Sequence, residues 1–220
     1  MPTLAIIGAG QGLGAAVARR FGKEGFSVAL ISRNQERLDA LATQLASDGV
    51  HAKGYQADVR DQAAIVAALE QASSDLGPVD VLQYSPLPQK EFLRPVLETT
   101  PDDLRAALEF SVYGPAAAVH QVIQHMRFLG GGSILFVNGG TAVKPLAKFA
   151  GTTASFAALS ALAQTWHEAL APDDIHVGQL IIPGSIEPGH AKKDPEVLAD
   201  LLWQMHAEKG DFRVFADEMD

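Results

Sequence analysis

The sequence predicts an α/β fold, a doubly wound parallel sheet in three αβα layers, built as a single domain over residues 1–220. Short apolar runs alternate with helix-spaced segments along the whole chain, and parallel strands require such crossover helices. After Ser133 the run Ile134-Leu135-Phe136-Val137 is unbroken and apolar, as expected of a central strand covered on both faces. The third observation is a set of four glycines at alternate positions, Gly8, Gly10, Gly12 and Gly14, between an apolar run and a helix-forming segment. Glycine backbone takes φ > 0 freely and lets a ligand approach closely. The helix start behind it aims free N–H groups and the positive end of its dipole at that ligand. Strand, glycine turn and helix together read as a phosphate-binding turn.

Each element follows from local signals. Residues 3–7 are the first strand. The helix behind the glycine turn runs to about Glu24 and ends at Gly25. Residues 26–31 form the second strand, closing at Ser32 and Arg33. Asn34 is the N-cap of a helix whose Leu38, Leu41 and Leu45 share one face. A third, weaker strand spans 50–56, and either Asp58 or Asp61 caps the helix carrying Ile65, Val66, Leu69 and Ala72. Gly77-Pro78 breaks that helix, and 79–84 is the fourth strand. A proline-containing loop over 85–100 leads into one long helix from Pro101 to Gly130. Residues 133–137 are the fifth strand, 139–149 a loop, 152–170 an alanine-rich helix and 175–182 the sixth strand. A helix over 195–206 and an edge strand over 212–215 complete the chain.

With 47% hydrophobic and 20% charged residues the chain belongs among compact globular proteins. A net charge of −9 argues against nucleic-acid or anionic-membrane partners, though a local basic pocket for a small anion stays open. The chain has no cysteine, which removes disulfides, thiolate catalysis and Cys-ligated metals. No apolar run reaches the ~18 residues of a membrane span. The N-terminus enters the first strand directly, so a cytoplasmic protein is expected. The seven histidines form no metal-ligand spacing, and no metal is expected.

Ligands of doubly wound sheets bind at the carboxyl ends of the strands, near the switch point. Residues 8–14, Arg33, Asp58, Tyr84, Asn138 and Pro183 all fall there. The residue about 20 positions past the glycine turn meets the adenosine ribose in dinucleotide-binding units. Here that place holds Ser32 and Arg33 rather than an acid. A carboxylate would repel a 2′-phosphate, whereas an arginine fork donates to it, so NADP is expected over NAD.

The spacing Gly8-x-x-x-Gly12-x-Gly14 resembles the glycine motif of the short-chain dehydrogenase/reductase family, and with it a Rossmann-type sheet. Ala57-Asp58-Val59 is similar to the family's adenine-contacting pair, residues 77–82 to its approach to the fourth strand, and Ile181-Ile182-Pro183-Gly184 to its turn beside the nicotinamide. The resemblance implies a dinucleotide held by Gly8, Gln11, Gly12, Leu13, Gly14, Ser32, Arg33, Asp58, Val59, Tyr84, Ser85, Pro183 and Gly184. It also implies a homodimer or homotetramer joined through the alanine-rich helix.

The family's chemistry uses Asn, Ser, Tyr and Lys. Its tyrosine transfers the proton, and a lysine one helical turn later lowers the tyrosine pKa, since a phenol near pKa ~10 is otherwise a poor acid–base. Carried across by the resemblance, these four positions hold Ser111, Gly139, Thr152 and Phe156. An aliphatic hydroxyl without a neighbouring cation does not replace the pair. At the fourth strand's end the family's Asn-Asn-Ala-Gly appears as Tyr84-Ser85-Pro86-Leu87, where Tyr84 either covers the ribose or obstructs it. The expectation is a nucleotide-responsive or vestigial NADP(H)-binding protein without standard dehydrogenase activity. One alternative is an oxidoreductase with relocated acid–base groups at Tyr84, Tyr113 or His190, with Glu187 beside it. The other is a structural subunit of an active paralogue.

Overall fold

The computed structural model describes residues 1–219. Seven strands form one sheet in the order β3-β2-β1-β4-β5-β6-β7. They are β1 (Thr3–Ile7), β2 (Ser27–Ser32), β3 (Ala52–Gln56), β4 (Val79–Tyr84), β5 (Gly132–Gly139), β6 (Ile175–Ile182) and β7 (Arg213–Phe215). Every neighbouring pair is parallel. The order reverses between β1 and β4, so the crevice opens at their carboxyl ends.

Helices cover both faces. On one side α1 (Leu13–Gly22), α2 (Gln35–Ser47) and α7 (Pro195–Glu208) bury Leu4, Ile6, Phe21, Leu30, Leu41 and Leu202. On the other, α3 (Gln62–Leu76), α5 (Gly114–Leu129) and α6 (Ala150–Leu170) close over Ile7, Leu82, Phe136, Val119 and Leu159. Residues 4–7 of β1 are fully buried, because alternate side chains serve the two cores. β4, β6 and the Asn34 cap fall where the sequence places them, with Asn34 accepting from the Arg37 N–H at 2.9 Å. Asp61, not Asp58, caps α3 by accepting from Ala64 N–H at 3.0 Å.

The long helix expected from Pro101 to Gly130 is interrupted. α4 (Pro101–Leu108) passes through a π-turn (Glu109–Tyr113) into α5. The cause is local chemistry plus one tertiary contact. Gly114 N–H bonds to Glu109 O, one residue further back than an α-helix would take it. Phe110 O is thereby released, and Pro115 has no N–H to offer it. Tyr84 supplies the missing donor, its hydroxyl bonding to Phe110 O. Gly114 is required there, since a Cβ would lie 2.3 Å from Val59 O and 2.9 Å from the Tyr84 hydroxyl.

Candidate functional site

The glycine turn divides its labour. Gly8, at φ +93°, sits against Pro86, whose backbone would be 2.4 Å from any Cβ there. Its N–H and that of Ala9 both donate to Ile31 O, at 2.9 and 3.1 Å, which pins the turn to β2. A Cβ on Gly14 would lie 3.1 Å from Ala9, so Gly14 lets α1 pack on the turn. Gly10 and Gly12 face open space, and Gln11 is exposed beside them. Gly12 caps α1 without a side-chain acceptor, leaving the first N–H groups of the helix directed outward. Leu13 turns its side chain into the core and offers only backbone.

Around this turn the other expected residues gather at the strand ends. Ser32 closes β2, and Arg33 is exposed with no carboxylate paired to it among the described residues. Asp58 accepts from Arg60 N–H at 3.0 Å, and Val59 is buried beside Gly114. Arg60 pairs with Glu109 at 2.8 Å, tying this loop to the π-turn. Ser85 N–H bonds to Ile7 O at 2.9 Å, holding the end of β4 against the turn. Pro183 and Gly184, the latter at φ +73°, end β6 on the far side of the crevice.

Tyr84, expected either to cover the ribose or to obstruct it, is buried beside Phe136 at the edge of the inner cavity, and its hydroxyl is spent on Phe110 O. Burial, with the negative charge of Asp58 second, holds its pKa well above the usual phenol value, so it is not an available acid–base. The strand itself carried the signal, because period-2 alternation puts Tyr84 on the core face with Leu82. Tyr113 is half exposed on the π-turn. His190 accepts at Nδ1 from the N–H groups of Lys192 and Lys193, both at 3.1 Å, which makes it a loop-folding residue.

Of the four positions tied by resemblance to catalysis, Ser111 and Phe156 border one small cavity and Gly139 lies beside Phe156. Ser155 donates to Ser111 at 3.1 Å, and Thr152 is buried and donates to Phe149 O at 3.3 Å. A Cβ on Gly139 would lie 3.9 Å from the Phe156 ring. The cavity between Tyr84, Phe110, Ser111, Asn138 and Phe156 measures about 10 Å³, room for one water at most. Sequence reasoning missed Pro86 and the Arg60–Glu109 pair. It also missed Gln179, whose amide donates to Asn138 at 2.9 Å and accepts from Ser160 at 2.9 Å. None of these contacts has a local motif.

Residues 2–198 match the short chain dehydrogenase family. The chain belongs to that family. It is similar to the 2,3-dihydro-2,3-dihydroxybenzoate dehydrogenase of Bacillus subtilis, at 31% identity over 206 residues covering 93% of this chain and 73% of that one. It also resembles a 3-dehydrosphinganine reductase of Arabidopsis thaliana, at 29% identity, where it spans 60% of the relative's length. Among solved structures, a short-chain dehydrogenase from Rhodopseudomonas palustris superposes with a TM-score of 0.86 at 26% identity, covering 99% of both chains. Like other short-chain dehydrogenases it is a seven-stranded parallel sheet between helical layers, and no helix among the described residues is long and apolar enough to cross a membrane.

Proposed function

We propose that this short-chain dehydrogenase relative holds NADP(H) and does not run the family's tyrosine–lysine proton transfer. Phe156 carries the reading. It fills the inner pocket from the place where the family's lysine is expected, and Thr152 beside it has no cation to activate it. The open face of Gly10 and Gly12 leaves room for a pyrophosphate at the start of α1. Arg33, with no carboxylate paired to it among the described residues, supports a 2′-phosphate and so NADP over NAD. A bound nicotinamide would supply hydride chemistry. The residues of this chain bind and orient the nucleotide but leave no hydroxyl–cation pair to move a proton. The exposed Ala154, Ala157 and Ala161 of α6 suit close approach of a second copy, and a homodimer or homotetramer accompanies this reading.

Calorimetric titration with NADPH tests the reading. One site per chain is expected, and Arg33→Ala should weaken NADPH roughly tenfold while leaving NADH little changed, as losing a charge-assisted hydrogen bond predicts. No heat and no thermal shift at millimolar NADPH would overturn it. The dehydrogenase and reductase names of the relatives favour a second reading, a working oxidoreductase. NADPH consumption with aldehydes, ketones or quinones would establish that one, and tight binding without turnover the first.

A further inference from the structure

After β7 the chain turns back across the carboxyl ends of the sheet. Ala216 N–H donates to Ile181 O at 2.9 Å, which sets the path of the residues that follow. Met219 then lies over the start of the loop behind β5. A Cβ on Gly140 would be 3.0 Å from its Cε, 3.5 Å from its sulfur and 3.8 Å from the Cα of Pro183. Met219 also packs, partly buried, against the core under α6. Asp217 accepts from the Lys192 ammonium at 2.6 Å, joining this segment to the loop between β6 and α7. That loop is itself folded by Glu187 N–H on Lys193 O at 3.0 Å and by Gly189 N–H on Asp194 at 2.6 Å. Lys192, Phe215, Asp217 and Met219 border a shallow hollow of about 560 Å³ that opens widely to solvent, so one side of the segment faces water.

The crevice therefore has two unequal halves. At the ends of β1 and β2, Gly10, Gly12 and Arg33 stand open. At the ends of β5 and β6, Gly140 lies under Met219, with the Cα of Pro183 beside the same point. We propose that residues 216–219 are an autoinhibitory strap over the β5–β6 half, seated by Met219 and latched by the Lys192–Asp217 ion pair. The proposal rests on the NADP(H) reading above and adds its regulation. A ligand that ends at its phosphates binds with the strap in place. One that reaches Gly140, beside Pro183, must lift it. An exposed ion pair holds weakly and is screened by salt, which suits a latch that opens.

The test compares adenosine 2′,5′-bisphosphate, which occupies only the open half, with NADPH, which spans both. Titrations use the full chain, Lys192→Ala, Met219→Ala and the exchanged pair Lys192→Asp with Asp217→Lys. The expected result is NADPH binding tightened about threefold by Lys192→Ala, the size of an exposed ion pair. Met219→Ala should tighten it further, and the exchanged pair should return it to the starting value. The bisphosphate should bind all four proteins alike. NADPH affinity that does not move, or that falls in Met219→Ala, overturns the strap while leaving the nucleotide site intact. Failure of both ligands on every protein overturns the strap together with the site. Thermal melts of each variant separate release of the strap from loss of the fold.

Discussion

Phe110 O has no backbone donor to turn to, because Gly114 N–H is spent on Glu109 and Pro115 has none. The Tyr84 hydroxyl is thus structural, and Tyr84→Phe should strand a buried carbonyl. A loss of about 1–3 kcal/mol is expected from chemical denaturation. A change within about 0.5 kcal/mol, the range of an inert surface substitution, would mean that water serves the carbonyl instead. Phe156 makes the complementary case. Phe156→Lys restores the residue type that the family uses, but it places an ammonium at a site only 7% exposed, next to Gly139. Without Tyr at 152 to use it, the charge brings only its burial cost. The variant should be destabilised by about 2–4 kcal/mol, measured by urea titration, with no gain in NADPH turnover. A stable Phe156→Lys protein would show that the inner pocket opens readily.

At the scale of elements, what was legible depended on where the cause lay. β4 and β6 were readable to the residue because buried parallel strands are largely apolar runs set off by turn markers, Gly77-Pro78 before β4 and Pro183-Gly184 after β6. The glycine turn was readable too, since strand, glycines and helix are contiguous. The π-turn was not, because half its cause is Tyr84, 26 positions before Phe110 in sequence. The strap was equally hidden, as 25 positions separate Lys192 from Asp217. Gly114 links these observations, being the point where α5 meets both Val59 and Tyr84. Gly114→Ala should push the Asp58–Val59 loop away from the π-turn. The expected signature is a stability loss of at least about 2 kcal/mol, the cost of overpacking at a contact that cannot yield. An unperturbed melt would indicate that the loop yields freely.

Across the whole molecule, the amino end of the sheet gathers histidines away from the crevice. His176, on β6, is buried, and its Nε2 has no hydrogen-bond partner among the described residues. His167 of α6 meets it edge-on at 5.7 Å, while His206 of α7 and Lys209 add positive charge nearby. Burial first, and then those charges, bring the His176 pKa down from 6.5 to about 4, and burial lowers His206 in the same direction. Between these pH values the unfolded chain binds a proton at His176 that the folded chain refuses. Stability is then full above pH 6.5 and declines as pH falls toward 4. The shift at His176 corresponds to a loss of about 3 kcal/mol by pH 4. The lowered carboxylates Asp75, Asp103, Asp194 and Asp217 lose their contribution from about pH 5 downward, so the part of the decline between pH 6.5 and 5 is the one that reports the histidines. Urea titrations between pH 7 and 4 should show this decline, and His176→Leu should flatten most of it. An equally steep decline in His176→Leu would assign the acid sensitivity to His206 or to the crevice rather than to the buried edge of β6.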